Sequence, residues 1–454
     1  NGPLNNYSYR LRIFGNKLYM LPGGRWATQY KRPAEIMILE NNQWTNLNNQ
    51  NLVQKSNHVL YDAMDVAQDP NDSNHYFITT YGTGMIELQD TNVVNLYLAS
   101  NSEFHSAVPE NPDRYTRTDR LLFDDENNLW VLNAGGKQGN VHVISQNGQW
   151  TSFSLNSISL DTPGDFIIDN RNPQWKWISI VRAGTGLILL QDNGTPHNPN
   201  DDKVTFRNTW IDQNSRNIAP EHIYSVAQDH DNTLWVGTNS GIFTIPTNVD
   251  FAVSNYCERV VIPRNDGSGL GDYLLDGEQI NCIVIDGANR KWIGTASSGV
   301  FLIQITTNES GGKDIETVAH FTSENSLMPS DNVLSIAINE LSGEVFIGTA
   351  AGLVSYMSDA VKPEENFNNL YVYPNPVHPT YKGYITIRGL MADSEVRIID
   401  ASGNLIKKLK GFGGEVVWDG TNQSGSQVAS GIYTAICNNT NGQDYGNVKI
   451  LIMN

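Results

Sequence analysis

The sequence has 454 residues, of which 39% are hydrophobic and 17% are charged, and its formal net charge is −18 at pH 7. This length allows two or three domains with cores of their own, and the apolar and aromatic content excludes a disordered chain. The negative charge makes nucleic acid a poor partner, because its phosphates would be repelled at long range.

Cysteine usage and hydropathy narrow the class of protein further. Cys257, Cys282 and Cys437 are odd in number, and Cys282 lies in an apolar run, so we expect buried thiols and no disulfide framework. No segment approaches the roughly 18 apolar residues of a membrane helix, and no signal peptide opens the sequence. Residues 1–4 are typical of a turn within a longer protein, so we expect further sequence upstream.

One phrase recurs along the first 357 residues and predicts their fold. It is a β-rich run that contains an aromatic residue and ends in small residues, followed by a glycine and a second β-rich run. The clearest copies are at residues 234–243, 291–301 and 345–354. Seven anchor aromatics, spaced about 47 to 58 residues apart, are Tyr19, Phe77, Trp130, Trp177, Trp235, Trp292 and Phe346. This period is typical of propeller blades, each a sheet of four antiparallel strands.

Each repeat contains the parts of one blade. An alternating run such as residues 224–227 comes first, and a polar hairpin such as residues 229–232 leads to the anchor strand. One blade is too thin to bury both of its faces, so stacked blades share a continuous core. The anchor aromatics could stack on sugars, but their place on a middle strand of every blade favours packing between blades.

The pattern changes after residue 357. A charged, proline-containing linker is predicted at residues 358–369, and residues 370–454 contain about seven short β-rich runs, which is typical of an immunoglobulin-like sandwich. We therefore predict an all-β chain. Its parts are a seven-bladed β-propeller at residues 1–357, the linker, and an Ig-like β-sandwich at residues 370–454.

Two motifs resemble known families. Residues 231–238, Asp-Asn-Thr-Leu-Trp-Val-Gly-Thr, resemble the two-component regulator propeller repeat of Bacteroidetes proteins. The Tyr-Pro-Asn-Pro at 373–376, the Trp-Asp-Gly at 418–420, the Gly-Ile-Tyr at 431–433 and the last strand at 449–452 resemble the C-terminal sorting domain of the type IX (Por) secretion system. The same tail is similar to the Ig-like domain of flagellar hook-capping proteins.

The combination of repeats and tail, with the segments at residues 21–26 and 30–33, resembles a component of the attachment complex of that secretion system. The resemblance implies a non-catalytic cell-surface protein that binds anionic lipopolysaccharide and docks other proteins of the complex. It implies contact with the outer-membrane surface by association only. Family members have two propellers, so we expect one propeller to be missing upstream of this sequence.

Basic and aromatic side chains are predicted to form a glycan-binding site. In a propeller, the loops between the second and third strands and the loops between blades leave on one face. The guanidinium group of arginine pairs with phosphate or carboxylate through two parallel hydrogen bonds, and aromatic faces stack on sugar rings. The candidates on these loops are Arg25, Trp26, Tyr30, Lys31, Arg32, Arg114, Tyr115, Arg117, Arg120, Lys137 and Arg182. The alternative is that they are solvated or form structural ion pairs with nearby Asp and Glu.

Motifs for catalysis or metal binding are sparse. The sequence has no His-Glu-x-x-His and no Gly-x-Ser-x-Gly, and we expect no metal and no cofactor. The Asp-rich turns at residues 124–128 and 229–232 could bind calcium, but their place in hairpins favours turn chemistry. His142 and His222 could act in acid–base chemistry, but the sequence names no partner for either.

Two other functions stay open beside the surface component. One is the periplasmic oligosaccharide-sensing domain of a hybrid two-component regulator, which would carry a membrane helix and a kinase after the Ig-like domain. Because the sequence stops at Asn454, soon after a strand, we favour the exported surface component. The other is a polysaccharide lyase or glycosidase, since a pair of catalytic carboxylates meets in space and leaves no sequence motif.

Overall fold

Seven antiparallel sheets follow one another in the described part of the computed structural model. The structure describes residues 2–25, 31–135, 140–153, 155, 158–264, 268, 270–307, 313–411, 413–439, 442 and 444–453. The first strands of the first five sheets contact one another in chain order, as in radially arranged blades. The predicted all-β fold with a seven-bladed propeller is confirmed.

The first four blades each contain four strands in meander order. Blade 1 consists of β1 (Arg10–Phe14), β2 (Lys17–Leu21), β3 (Ile36–Glu40) and β4 (Gln43–Leu47). Blade 2 consists of β5 (Ala63–Asp69), β6 (Asp72–Thr80), β7 (Met85–Gln89) and β8 (Asn92–Tyr97). Blade 3 consists of β9 (Arg117–Phe123), β10 (Leu129–Ala134), β11 (Val141–Ile144) and β12 (Trp150–Phe153). Blade 4 consists of β13 (Pro163–Asp169), β14 (Asn172–Ile180), β15 (Gly186–Gln191) and β16 (Lys203–Arg207).

Two small hairpins accompany the last three blades, one between blades 4 and 5 and one between blades 5 and 6. The hairpins are β17 (Trp210–Ile211) with β18 (Asn217–Ile218), and β22 (Val261–Pro263) with β23 (Gly271–Tyr273). Blade 5 consists of β19 (Ile223–Gln228), β20 (Leu234–Thr238) and β21 (Gly241–Ile245). Blade 6 consists of β24 (Ile280–Ile285), β25 (Lys291–Thr295), β26 (Val300–Thr307) and β27 (Lys313–Phe321). Blade 7 consists of β28 (Val333–Ile338), β29 (Glu344–Thr349) and β30 (Gly352–Met357).

The seven anchor aromatics are all buried, as predicted. Trp177, for example, packs in one cluster with Val226, Leu234 and Val236 of blade 5. The indole N–H groups of Trp177 and Trp235 donate to Asp169 and Asp229 at 2.9 Å, so these polar atoms keep partners inside the core.

The glycine two residues after the anchor, at Gly237, Gly294 and Gly348, allows blades 5, 6 and 7 to lie close to the next blade. A Cβ atom on Gly237 would lie 2.7 Å from Ile280 at the start of blade 6. At Gly348 it would lie 2.7 Å from the Ser8 carbonyl, at the point where the last blade meets the first. Side chains larger than hydrogen would therefore push neighbouring blades apart.

The ring closes by side-chain packing between blades 7 and 1. Ser8 donates its hydroxyl to the Thr349 carbonyl at 2.9 Å, and the backbone N–H of Leu11 donates to the Ser335 hydroxyl at 3.1 Å. Leu11 also shares a buried cluster with Phe346. All four strands of blade 1 come from the N-terminal end of the chain, so closure involves no exchanged strand.

One α-helix was not predicted from the sequence. It is α1 (Asn49–Ser56), between blades 1 and 2. Asn48 caps it by accepting the Asn51 N–H at 2.9 Å, and Asn57 ends it in the left-handed conformation. Its short length and single buried residue, Leu52, give a weak helical pattern.

The C-terminal region forms a sandwich of two antiparallel sheets, preceded by a 3-10 turn (Phe367–Asn369). One sheet contains β31 (Tyr371–Tyr373), β32 (Ile385–Arg388) and β35 (Glu415–Trp418). The other contains β33 (Glu395–Ile399), β34 (Leu405–Lys410), β36 (Gly431–Asn438) and β37 (Tyr445–Ile452). Trp418, Ile398, Ala435 and Ile450 meet in the core between the sheets. These seven strands lie where the sequence predicted them.

The chain divides into two compact units. The first contains Asn1–Val284, Trp292–Ala337 and Phe346–Val354, and the second contains Ile285–Lys291, Ile338–Val345 and Ser355–Asn454. Within the second unit, Arg290 binds Asp286 at 2.8 Å and Asp359 at 2.7 Å. The predicted domain limits at residues 357 and 370 stay predictions.

Two further expectations concern the whole chain. The three cysteines are buried free thiols, and burial raises the pKa of each to about 12. In the part of the chain that the structure describes, no helix has the length and hydropathy to cross a bilayer.

Replacing one anchor aromatic tests the blade core. We expect Trp235→Ala to lower the free energy of unfolding of the propeller by about 3–5 kcal/mol, because it leaves a cavity where two blades meet. Leu327→Ala is the control, since Leu327 is 93% exposed in the same unit. Denaturant unfolding gives both values when it is followed by the circular dichroism of the backbone, a signal that does not depend on Trp235. Equal effects of the two variants would contradict the core role.

Candidate functional site

Irregular pairing of the first strands places charged side chains at the central channel. The pairing of β9 with β10 and of β13 with β14 shifts register near residues 119–120 and 164–165. The β5–β6 pair shifts in the same way between Ala63 and Asp65. Such bulges leave one residue unpaired and turn its side chain away from the sheet.

A network of arginine and aspartate side chains joins blades 1 to 4 there. Asp65 accepts from Arg12 at 2.8 Å and from Arg10 at 3.3 Å. Arg10 also reaches Asp165 of blade 4 at 3.2 Å. The guanidinium of Arg120 lies 3.9 Å from Asp65 and 3.7 Å from Asp165. These pairs connect side chains up to 155 positions apart in sequence.

A second carboxylate of the network, Asp119, is paired with Arg25 and also with Arg120. Asp119 lies 2.9 Å from Arg25 and 3.2 Å from Arg120. Arg25 also donates to the Pro163 carbonyl and, at 3.2 Å, to the Tyr9 hydroxyl. Arg25 therefore ties the long loop of blade 1 to blades 3 and 4.

The network affects its two fully buried carboxyls differently. Burial favours the neutral form of Asp65, but the charges of Arg10 and Arg12 outweigh burial and hold its pKa below the usual range. Burial raises the pKa of Asp119, and Arg25 and Arg120 only partly oppose that shift. Asp65 is therefore the carboxylate whose negative charge the network stabilises most.

The channel contains a cavity of about 390 Å³. Its charged lining residues are Arg10, Arg25, Arg120, Asp165 and Arg182. Uncharged polar groups line the side formed by the later blades, namely His222, Tyr224, Gln279, Asn281 and Asn332. Four guanidinium groups thus face the cavity together with one carboxylate.

A second cavity, of about 640 Å³, is called here the interblade cavity because loops of blades 1, 2 and 3 line it. Its lining residues are Lys31, His58, Val59, Tyr61, Asp62, Tyr81, Gly82, Thr83, Asp113, Arg114, Tyr115 and Arg117. They come from loops between second and third strands and from connections between blades, which is the face that the sequence predicted. The volume is in the range of small-molecule sites.

Cations and aromatic rings meet in the interblade cavity. The Arg117 guanidinium lies 5.1 Å from the centre of the Tyr81 ring. Within the described residues, Lys31, Arg114 and Arg117 have no carboxylate at ion-pair distance. This cavity can therefore offer positive charge to a ligand that also stacks on tyrosine.

Asp62 shapes the mouth of the interblade cavity. Its carboxylate accepts the backbone N–H groups of Lys31 at 3.1 Å and Arg32 at 2.9 Å, which fixes the end of the long blade 1 loop. Burial raises the pKa of Asp62 to about 6, although these two bonds favour the charged form. Because each oxygen accepts one backbone N–H, the carboxyl holds the end of the loop.

The predicted site residues are divided between the two cavities. Lys31, Arg114, Tyr115 and Arg117 line the interblade cavity. Arg25 and Arg182 line the channel cavity, where Arg182 donates to the Thr162 hydroxyl at 3.3 Å. Trp26, Tyr30 and Lys137 lie outside the described residues.

Arg25 and Arg32 differ from the expected open loop surface. Arg25 is 2% exposed and paired with Asp119, so the alternative of a structural ion pair applies to it. Arg32 donates to the Pro22 carbonyl at 2.7 Å and lies 4.1 Å from the centre of the Tyr7 ring. Contacts with blades 3 and 4 therefore account for Arg25, and contacts within blade 1 and the N-terminal segment account for Arg32.

The sequence interpretation missed the acidic members of the channel network. Asp65, Asp119 and Asp165 lie on the first strands of blades 2, 3 and 4, each at the third position of its strand. Aligning the repeats on the aspartate before each hairpin would have shown charges recurring at one position. The strand pattern alone gave no sign that bulges turn them toward the channel.

The other candidates have structural partners. The Asp124 and Asp229 carboxylates accept backbone N–H groups of their own turns at 2.8–3.1 Å, which is the turn chemistry predicted for them. A ring nitrogen of His142 lies 3.0 Å from the Ser152 hydroxyl, and one of His222 lies 2.8 Å from the Val181 carbonyl. In the described residues, no three His, Cys, Asp or Glu side chains are grouped to hold a metal ion.

Comparisons with known proteins agree with the fold. Residues 217–240 match the family model of the two component regulator propeller. The chain is similar over its full length to PorZ of Porphyromonas gingivalis, described as an essential bacterial surface component of the type-IX secretion system, with 26% identity and a TM-score of 0.72. It spans 60% of the PorZ chain. The expected resemblance to a type IX secretion component is confirmed as a similarity.

Two other solved structures are similar at a lower level. The extracellular domain of a hybrid two-component system from B. thetaiotaomicron has 13% identity and a TM-score of 0.45, covering 99% of this chain and 57% of that one. Virginiamycin B lyase from Staphylococcus aureus has 11% identity and a TM-score of 0.47, covering 78% of this chain and 96% of that one. No curated protein matches the sequence.

Removing the charge of Asp65 tests the channel network. We expect Asp65→Asn to lower the free energy of unfolding by about 3–5 kcal/mol at pH 7, because Arg10 and Arg12 lose their partner in a buried place. A carboxyl whose folded pKa is lowered stabilises the fold above its unfolded pKa, near 3.9, and loses this effect as pH falls. The difference from wild type should therefore shrink below about pH 4, as urea unfolding across pH would measure.

Asp272→Asn is the matched control, since Asp272 pairs with Arg264 on the surface. We expect little change in stability at any pH, because water screens exposed pairs. A stability difference for Asp65→Asn that stays constant down to pH 2 would show that folding does not lower the pKa of Asp65.

Proposed function

We propose that this protein is a non-catalytic surface component of a type IX secretion attachment complex, where it binds anionic lipopolysaccharide and docks partner proteins. The observation that carries the proposal is the similarity to PorZ over the whole chain, at a TM-score of 0.72. The protein would be exported and would act at the cell surface, associated with the outer membrane through its ligand and partners.

The interblade cavity supports the binding part of the proposal. A lipopolysaccharide with an anionic sugar chain needs positive charge for its phosphates or carboxylates and flat apolar surfaces for its rings. Lys31, Arg114 and Arg117 supply the charge, and Tyr81 and Tyr115 supply the rings. The protein as a whole has a net charge of −18, so a polyanion would be repelled over most of its surface and attracted where these cations lie.

A second candidate function is the oligosaccharide-sensing domain of a hybrid two-component regulator in the periplasm. The match of residues 217–240 to the two component regulator propeller favours it. Deletion of the gene separates the two functions. Loss of cargo proteins from the cell surface supports the secretion component, whereas intact surface cargo with a lost transcriptional response to a glycan supports the sensor.

Charge reversal in the interblade cavity tests lipopolysaccharide binding. We expect Arg114→Glu combined with Arg117→Glu to weaken binding of purified anionic lipopolysaccharide by at least about tenfold, or about 1.4 kcal/mol. The physical reason is that two attractive charges become repulsive within one cavity. Surface plasmon resonance on immobilised lipopolysaccharide measures the change.

The control is Arg264→Glu, which reverses the charge of one exposed arginine outside both cavities, half the charge change of the double variant. It should leave binding nearly unchanged. Equal loss of binding in both variants would show that net charge alone causes the effect, and unchanged binding in the double variant would reject the interblade cavity as the site.

A reducing-sugar assay with the same polysaccharide tests the non-catalytic assignment, since release of reducing ends would make the protein an enzyme.

A further inference from the structure

We propose that the central channel of the propeller is a separate binding site for a single acidic sugar, one that carries a carboxylate or a phosphate. The proposal goes beyond the proposed function, because it concerns a cavity that the polymer site does not include. Only the choice of a sugar as the ligand rests on that function.

The charge of the channel lining requires an anion. Arg10, Arg25, Arg120 and Arg182 line the cavity, and Asp165 is the acidic residue that lines it with them. Asp65 and Asp119 lie behind the lining with fully buried side chains. Counting these three carboxylates against the four guanidinium groups leaves one positive charge (4 − 3), and Arg12 adds another.

Arg120 has hydrogen-bonding capacity that the protein does not use. It is 6% exposed; burial lowers its pKa, but the charges of Asp119 and Asp65 outweigh burial and raise the pKa above its usual value. Its Nε and Nη1 atoms have no hydrogen-bond acceptor among the described residues, although Asp119 lies at ion-pair distance. A guanidinium held in this way has donors to offer when a carboxylate or phosphate enters the channel.

Stability alone does not explain this concentration of charge. A buried ion-pair network gives little stability over apolar packing of the same volume, and such replacements are often neutral or stabilising. Blades 5 and 7 carry small Ser225 and Ser335 at the strand positions that correspond to Asp65 and Asp165. The protein therefore keeps arginines on one side of the channel and open space on the other.

The opposite side of the cavity matches the hydroxyl groups of a sugar. Asn281, Asn332 and Gln279 supply amide donors and acceptors, and Tyr224 supplies a ring and a hydroxyl. A cavity of about 390 Å³ accommodates one or two sugar units and not a chain. An acidic sugar would place its anion on the arginines and its hydroxyls on the amides.

Isothermal titration calorimetry of the full chain with D-glucuronate, glucose 1-phosphate, inorganic phosphate and glucose tests the proposal. We expect saturable binding of glucuronate or glucose 1-phosphate and none of glucose. Absence of binding of both acidic sugars to the folded protein would overturn the proposal. Binding of inorganic phosphate as tight as that of glucose 1-phosphate would overturn the sugar specificity.

Variants on the uncharged side locate the site without disturbing the arginine network. Leu334 lines the cavity from β28 and is half-buried. We expect Leu334→Glu to weaken binding of the acidic sugar at least about tenfold, since a fixed carboxylate in the cavity repels the ligand's anion. Leu334→Gln, of the same shape without the charge, should stay within about threefold of wild type.

A second matched pair, Ala296→Asp and Ala296→Asn, covers the case in which a Leu334 variant does not fold. Unchanged sugar binding in the folded acidic variants would place the ligand elsewhere and overturn the proposal. The Arg114→Glu and Arg117→Glu variant keeps the two proposals apart. If it loses lipopolysaccharide and retains glucuronate, both proposals hold, whereas glucuronate binding without any lipopolysaccharide binding to wild type leaves only the channel site.

Discussion

Compensation of buried charge at the channel is the constraint on which the candidate sites depend. Taking Asp65 and Asp119 out of water costs several kcal/mol for each ion, and only partners held at hydrogen-bond or ion-pair distance offset that cost. Partners from other blades are Arg12 of blade 1 and Arg120 of blade 3 for Asp65, and Arg25 of blade 1 for Asp119. The angular positions of blades 1 to 4 are therefore fixed by electrostatics as well as by packing. Arg25 lies on the long loop of blade 1, so its ion pair also positions the start of that loop, while Asp62 fixes the loop end through the N–H groups of Lys31 and Arg32.

The periodic part of this architecture could be predicted from the sequence because each blade repeats the same local physics. An aromatic residue on a middle strand has to be buried between sheets, and an aspartate that opens a hairpin has to accept the N–H groups of its turn. The glycine after the anchor has to be small because the next blade lies against it, as the contacts of Gly237 show. Signals of this kind lie within a few residues of one another and recur along the propeller, with the buried aromatic in all seven blades. The sandwich strands were predictable for the same reason, since Trp418 and Tyr433 mark short alternating runs.

The sites depend on geometry that the linear pattern does not contain. Whether an arginine on a loop is a ligand or a structural partner depends on the carboxylate that other blades bring near it. Arg25 and Arg114 look alike in the sequence, yet Asp119 neutralises the first, and the described residues place no carboxylate against the second. The bulges in β9 and β13 are equally invisible, because a single register shift changes which side chain faces the channel. The prediction of one converging site was therefore replaced by two cavities with different members.

The separation into two cavities has a consequence for an acidic protein. A net charge of −18 repels polyanions over most of the surface, so attraction exists only where cations are gathered without full compensation. In the interblade cavity this happens because Lys31, Arg114 and Arg117 lie on loops, exposed enough to meet a polymer and screened by salt. In the channel it happens because arginines outnumber aspartates inside a low-dielectric wall, where screening is weak. Binding to the first cavity should fall steeply with added salt, and binding to the second should change much less. The protein would thus bind a large and a small anionic ligand at different places, because its uncompensated positive charge lies in two separate cavities.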